Sequence, residues 1–166
     1  MSKIYVGTYQ KYNNGSLFGK WLDLEDYVDL DDFFEACQEL HKDEDDPELM
    51  FQDFEDIPEE LISESWIAED IFDYINFDGD RDALDAFMTL GHYSSLSDYL
   101  DAFKDAFMGT LGNDSASENC RLAYWYEELG GLDIPENMQN YFDYEAFGRD
   151  LSYDYNVVDD FIFANN

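Results

Sequence analysis

Positive charge is scarce in this sequence. Eight Lys and Arg stand among 166 residues against 41 Asp and Glu, for a formal net charge of −33. So few bases exclude a nucleic-acid-binding surface, and anionic lipid would repel the chain. Cysteine is scarce as well: Cys37 and Cys120 are far apart and in no CxxC spacing. They read as reduced thiols of a cytoplasmic protein rather than as a disulfide framework. No apolar run approaches the ~20 residues of a membrane span, and Met1 to Gly7 lack the apolar core of a signal peptide. GxSxG, P-loop, GxGxxG and Cys–His patterns are all missing, so no enzyme is expected. Paired carboxylates suit glycosidase or aspartic-protease chemistry, but among 41 acids such pairs arise anyway and carry no information.

What is there is apolar and aromatic. Hydrophobic residues make up 45% and aromatics 18% of the chain, too much for a disordered acidic tail. Each ring buries a large area, so a few can hold small modules that are mostly surface. Residues 1–20 carry no acid and three lysines, Lys3, Lys11 and Lys20; all later segments are strongly negative. The acidity belongs to the whole body.

The pattern predicts an α+β fold of three small modules, 1–60, 61–103 and 104–166, arranged as an elongated body that separates like charges. Such a body would exceed the radius of gyration of about 15 Å of a compact chain this long. Lys3 to Tyr9 is β-rich, and Asn13-Asn14-Gly15 signals a hairpin turn before Leu17 to Leu24. Phe33, Cys37 and Leu40 share a helical face with Phe34 beside them, capped by Asp29 or Asp31. Leu49 to Phe54 reads as a third strand, completing a ββαβ unit. In the helical middle, Trp66, Ile67, Ile71, Phe72 and Ile75 form one stripe, and Leu84, Phe87 and Met88 another. Ser95 to Asp98 resembles a capping box opening a helix that contains Leu96, Tyr99, Leu100, Phe103 and Phe107. The C-terminal α/β module holds a helix from Leu122 to Leu129 ended by Gly130-Gly131. Pro135 suits a helix start, Asp143 caps a turn through Phe147 to Leu151, and Val157 to Phe163 forms a last strand.

Tyr74, Asn76, Asp78, Gly79, Asp80, Asp82 and Asp85 partly fill an EF-hand frame, but Tyr stands at the first position and Asp at the twelfth. His41 and His92 lack partners at zinc-ligand spacing and suit helix ends. No metal and no cofactor is expected. The acids read best as a surface. Asp32, Glu35 and Glu39 share one helix face, as do Asp98, Asp101 and Asp105, with neighbours about 5–6 Å apart. Arg81 stands near Asp78 and Asp85, Lys104 near Asp101, Arg121 near Glu118 and Arg149 near Glu145, leaving little positive charge exposed. At one charge per ~1.7 Å of duplex, the net charge would match about 56 Å of DNA.

The run from Leu129-Gly130-Gly131-Leu132-Asp133-Ile134-Pro135 through Tyr141-Phe142-Asp143-Tyr144-Glu145-Ala146-Phe147-Gly148-Arg149-Asp150-Leu151 resembles the antirestriction motif of the ArdA proteins. Lys3-Ile4-Tyr5-Val6, Tyr12-Asn13-Asn14-Gly15 and Gly19-Lys20-Trp21-Leu22-Asp23 look like that family's first hairpin. The resemblance implies a mobile-element protein that mimics bent B-form DNA and blocks type I restriction–modification enzymes, and it implies a homodimer. Acids assigned to the DNA-like surface are Asp23, Glu25, Asp26, Asp29, Asp32, Glu35, Glu39, Asp43, Asp45 and Asp46 in the first stretch. Asp53, Glu55, Asp56, Glu59, Glu60, Glu69, Asp70 and Asp73 continue it, followed by Asp78, Asp80, Asp82, Asp85, Asp98, Asp101 and Asp105. Pro135, Tyr141, Phe142, Tyr144, Phe147 and Leu151 read as core or dimer contact. The basic N-terminal hairpin either lies apart from the target groove or pairs with acids of the next module. Two other readings share the composition: an acidic binding module or chaperone for other basic proteins, and a halophilic protein of unrelated function.

Overall fold

The computed structural model describes residues 1–165, and the chain forms two compact units, Met1–Asp78 and Gly79 onward. Helices and small antiparallel sheets alternate in both, an α+β fold.

In the first unit, β1 (Lys3–Thr8) is the central strand of an antiparallel sheet between β2 (Lys20–Asp23) and β3 (Leu49–Glu55). Ile4 and Val6, two apart on one face, are both fully buried, as strand alternation requires. The link from β1 to β2 differs from the expected hairpin. Tyr9–Asn13 is a short helix, α1, with the Thr8 hydroxyl capping the Lys11 amide at 3.2 Å. Asn14 and Gly15, at φ 77°, end that helix rather than forming a two-residue turn. The Thr8 hydroxyl, which also donates to Glu44 at 2.7 Å, offers the backbone a helix start that strand periodicity does not reveal.

Helix α2 (Leu30–Leu40) begins at Asp29, whose carboxylate accepts the Asp32 amide at 2.9 Å. Asp31 and Asp32 in its first turn complement the helix dipole. Phe33 and Cys37, one turn apart, are fully buried; the Phe33 ring lies 5.5 Å from Tyr27 and 6.4 Å from Phe51. The stripe predicted from Trp66 to Ile75 is only half helical. Ile62–Ser63 and Trp66–Ile67 form a small hairpin, β4 and β5, and α3 spans Ile71–Ile75. Ile67 is buried by strand alternation, which leaves its neighbour Trp66 half exposed.

In the second unit, Asp80 caps α4 (Arg81–Met88), burying Leu84, Phe87 and Met88. Ser95 caps α5 (Leu96–Ala106), which buries Leu96, Tyr99 and Phe103. Phe107, expected within that helix, instead opens strand β6 (Phe107–Thr110) and pairs with Phe163. The single expected terminal strand is a hairpin of β7 (Tyr155–Val158) and β8 (Phe161–Ala164). Asp159 and Asp160 make its turn at φ 50° and 68°, the left-handed pair that a tight hairpin needs and that Asp tolerates. Phe107 is therefore drawn into a sheet of order β6-β8-β7 by a partner far away in sequence. Its ring stacks on Phe103 at 5.1 Å, and Phe87 lies 5.1 Å from Phe163.

Helix α6 (Glu118–Glu128) ends near Gly130 at φ 80°, and α7 (Tyr144–Leu151) is capped by Asp143 through the Ala146 amide at 3.0 Å. A second core joins Leu111, Leu122, Trp125, Leu151 and Ile162.

Candidate functional site: the acidic surface and the α6–α7 lock

Each carboxylate assigned to the surface is exposed, except Asp23, Asp70 and Asp85, which are half-buried. Along α2, Asp32, Glu35 and Glu39 all face solvent, and along α5 so do Asp98, Asp101 and Asp105. These acids are not equivalent. Glu35 stands open, whereas Glu39 pairs with Lys42 one turn on. Asp32 accepts the Val28 amide at 3.1 Å, and Asp98 accepts the Ser95 hydroxyl at 2.7 Å. Asp80 holds the start of α4, and Asp56 meets the N-terminal amine at 3.1 Å. Single carboxylates thus carry local structural duties in addition to their charge.

In the basic N-terminal segment, Lys3 and Lys11 pair with acids of their own unit rather than with acids of a following module, while Lys20 is exposed. Lys3 binds Glu55 at 2.8 Å and lies 4.9 Å from the Trp21 ring centre. Lys11 reaches Asp43 at 2.9 Å and Glu44 at 2.7 Å, with only 14% of its side chain exposed. Its ammonium also lies 3.2 Å from Nδ1 of the fully buried His41. A lysine only donates, so Nδ1 accepts, and Nε2–H donates to the Val6 carbonyl at 3.2 Å. Burial opposes the charge on Lys11, but bonds to Glu44 and Asp43 win and raise its pKa. Burial likewise opposes ionisation of Glu44, yet bonds from Lys11 and Thr8 hold its carboxyl below the ordinary value. The Lys11 bond lowers Asp43 in the same sense.

Further along the chain, Arg121 pairs with Asp160 at 2.8 Å, a residue distant in sequence, rather than with Glu118. The hydrogen bonds of Glu145 go to the neighbouring helix, and Arg149 acts on it only through its charge. The Glu145 carboxylate sits at the start of α6, accepting from the Ser117 hydroxyl, from Asn119 Nδ2 at 2.6 Å and from the Cys120 thiol at 3.4 Å. Those three donors, Ser117 first, lower its pKa. Gly148 in α7 completes the contact: a Cβ there would lie 1.8 Å from the Asn119 carbonyl oxygen. The sequence does not reveal the part that Glu145 and Gly148 play in this helix contact. Gly148 left one signal, since a glycine inside a strong helix pattern implies a packing reason. Glu145 left none, because its partners lie elsewhere in the chain.

The motif residues divide accordingly. Leu151 is buried in the second core and Phe147 packs against it. Phe142 and Tyr144 are half-buried with ring centres 4.9 Å apart, and the Tyr144 hydroxyl donates to Glu127 at 2.9 Å. Pro135 and Tyr141 are exposed, Tyr141 by 83%, and so are not core within the chain. Among the described residues, no group of three or more His, Cys, Asp and Glu is placed to hold a metal ion. None of the helices is long and apolar enough to cross a membrane.

A family model described as antirestriction protein (ArdA) matches residues 4–161, nearly the whole sequence. The chain belongs to the ArdA family of antirestriction proteins. Comparison with curated proteins returned no match. The family's function is antirestriction, and membership ties this ArdA chain to restriction–modification enzymes. In the ArdA chain, the motif region from Asp143 to Leu151 is a helix start, a carboxylate bound to the neighbouring helix and a close helix crossing.

Proposed function

We propose that this ArdA protein acts as a DNA mimic. It occupies the DNA-binding groove of a type I restriction–modification enzyme and blocks DNA binding, cleavage and modification, without catalysing a reaction of its own. The observation that carries the reading is the exposure of nearly all the assigned carboxylates while Lys3, Lys11, Lys42 and Arg121 are held in ion pairs. A protein groove lined with bases to receive phosphates meets a surface on which carboxylates far outnumber bases, much as it meets a duplex. The contact is with the methyltransferase core and specificity subunit, in the cytoplasm. Exposed apolar residues of the motif region, Leu129, Met138 and Tyr141, with Pro135 beside them, are suited to a contact between two copies of the chain. The deciding experiment is competition: labelled duplex bound to a type I methyltransferase core should be displaced stoichiometrically, and less well as salt rises. Retention of the duplex at saturating inhibitor would defeat the reading.

A further inference from the structure

A phosphate-like surface has no use for an apolar groove, yet the first unit contains one. It is an open groove of about 650 Å³, with Leu30, Phe34, Trp66, Ile67 and Phe72 along its floor and Asp29, Asp31 and Glu69 making the rest of its lining, the rim, polar. That volume lies in the range of pockets that receive side chains or small ligands. Local structure builds it: the N-terminal turn of α2 forms one wall, and β5 with the start of α3 the other. Strand alternation in β5 buries Ile67 and turns the Trp66 indole outward, half exposed. Elsewhere in the same unit cations lie over two rings, Lys3 over the half-buried Trp21 at 4.9 Å and Lys11 over the exposed Phe18 at 5.4 Å. Among the described residues, Trp66 has no lysine or arginine over its ring.

We infer that this groove is a docking site for a basic amphipathic segment of the target enzyme, one that places an apolar side chain against Trp66 and Phe72 and an arginine between the indole and the rim. Charge complementarity selects that occupant. Asp29, Asp31 and Glu69 repel an acidic segment and would leave a neutral one with unpaired carboxylates at its edge. An arginine satisfies both surfaces, because its guanidinium stacks on an aromatic face while its donors reach carboxylates. A second copy of this chain is a poor fit, since most of its surface carries the same sign as the rim. The inference rests on the proposed inhibition of a type I enzyme and adds a contact that DNA itself cannot make. The apolar part of that contact, at Trp66 and Phe72, gives the inhibitor an anchor that salt hardly weakens, whereas the carboxylate rows and the rim acids give contacts that salt weakens.

The test uses the full chain, a purified type I methyltransferase core and a labelled duplex, at two salt concentrations. W66A should weaken displacement about 10-fold or more at both concentrations, W66F should recover part of the loss, and the slope with salt should stay as in the parent. A D31K/E69K double variant, which leaves the apolar floor intact, should weaken displacement too and guards against a folding defect in W66A. Equal inhibition by W66A, D31K/E69K and the parent would overturn the inference while leaving DNA mimicry standing. Failure of the parent to displace the duplex would overturn both. A change in oligomer size on W66A, with displacement per chain unaltered, would assign the groove to a second copy and refute the proposal.

Discussion

Replacing Gly148 by Ala separates two opposed effects on one helix. On an exposed helix the change would stabilise by about 1 kcal/mol, because Ala loses less backbone freedom than Gly. Here the added Cβ would lie 1.8 Å from the Asn119 carbonyl oxygen, 2.4 Å from its carbon and 2.9 Å from Cα. All three are backbone atoms of α6, so no side chain can rotate away. Relieving the overlap requires α6 and α7 to part by about 2 Å to reach ordinary contact. That movement strains the bonds from Asn119 and Cys120 to Glu145 and loosens Leu151 in the second core. Overpacking of this kind costs about 3 kcal/mol, and the propensity gain offsets about 1, leaving a net loss near 2 kcal/mol. For a unit of this size the melting temperature should fall by roughly 10 °C. The assay is a thermal melt followed by the near-ultraviolet signal of the buried Trp125. Gly112 is the control: open space surrounds its Cβ position and its φ is not left-handed, so G112A should melt like the parent. A melting temperature for G148A equal to or above the parent's would refute the reasoning, since propensity would then have won.

Thiol chemistry separates the two cysteines: Cys37 is fully buried, with burial pushing its thiol up to about 12, while Cys120 is half-buried. One equivalent of a thiol reagent should react with the folded protein, at Cys120, and the second only on unfolding; native labelling of Cys37 would contradict the packing of α2. Acid tests the lock between α6 and α7: the folded pKa of Glu145 lies below its ordinary value of 4.5, so its stabilisation is complete above that value and is lost as pH falls through the folded one. The stability difference between the parent and E145Q should therefore shrink below about pH 4, and a difference flat from pH 6 to 3 would place Glu145 outside the lock. Charge rows give the third test: D101N or E35Q alone should barely alter inhibition, whereas neutralising Asp98, Asp101 and Asp105 together should weaken it and flatten its salt dependence. E39Q should cost more than E35Q because it also releases Lys42; a single variant that folds normally and loses all activity would mean a site rather than a surface.

The parts of the fold legible in the sequence are those set by neighbours along the chain. Asp29, Ser95 and Asp143 each cap a helix through an amide three residues on, and Gly130 ends one with positive φ; such signals lie within a single turn. The misread parts are those decided at a distance. Phe107 continues the apolar spacing of α5, yet β8 captures it as a strand. Trp66 and Ile67 fit a helical stripe, yet pairing with Ile62 and Ser63 makes them a hairpin. Charge follows the same division. Exposure of the acids was predictable from composition, whereas the partners of Arg121, Lys11 and Glu145 lie in other elements. No spacing rule finds a partner across a fold.

How a chain of net charge −33 folds follows from where its few cations lie. Lys11 is largely buried between Asp43, Glu44 and His41, tying α1 to the segment after α2. Arg121, 16% exposed in its side chain, ties α6 to the turn before β8. Both act where carboxylates would otherwise oppose the approach of two elements, and both bring little positive charge to the surface. Lys3 and Lys42 are more open, but each is held by a carboxylate. An ordinary solvated protein mixes signs on its surface, and its ion pairs contribute little to stability there. In this chain the pairs leave the net field strongly negative, because eight cations stand against 41 carboxylates. Aromatic cores around Phe33 and Phe163 supply the cohesion that mixed charge would otherwise have to support. Core cohesion and surface charge are thereby assigned to different residues, so the surface stays strongly negative, with Lys20, Lys42, Lys104 and Arg149 as exposed bases, without the fold depending on its neutrality.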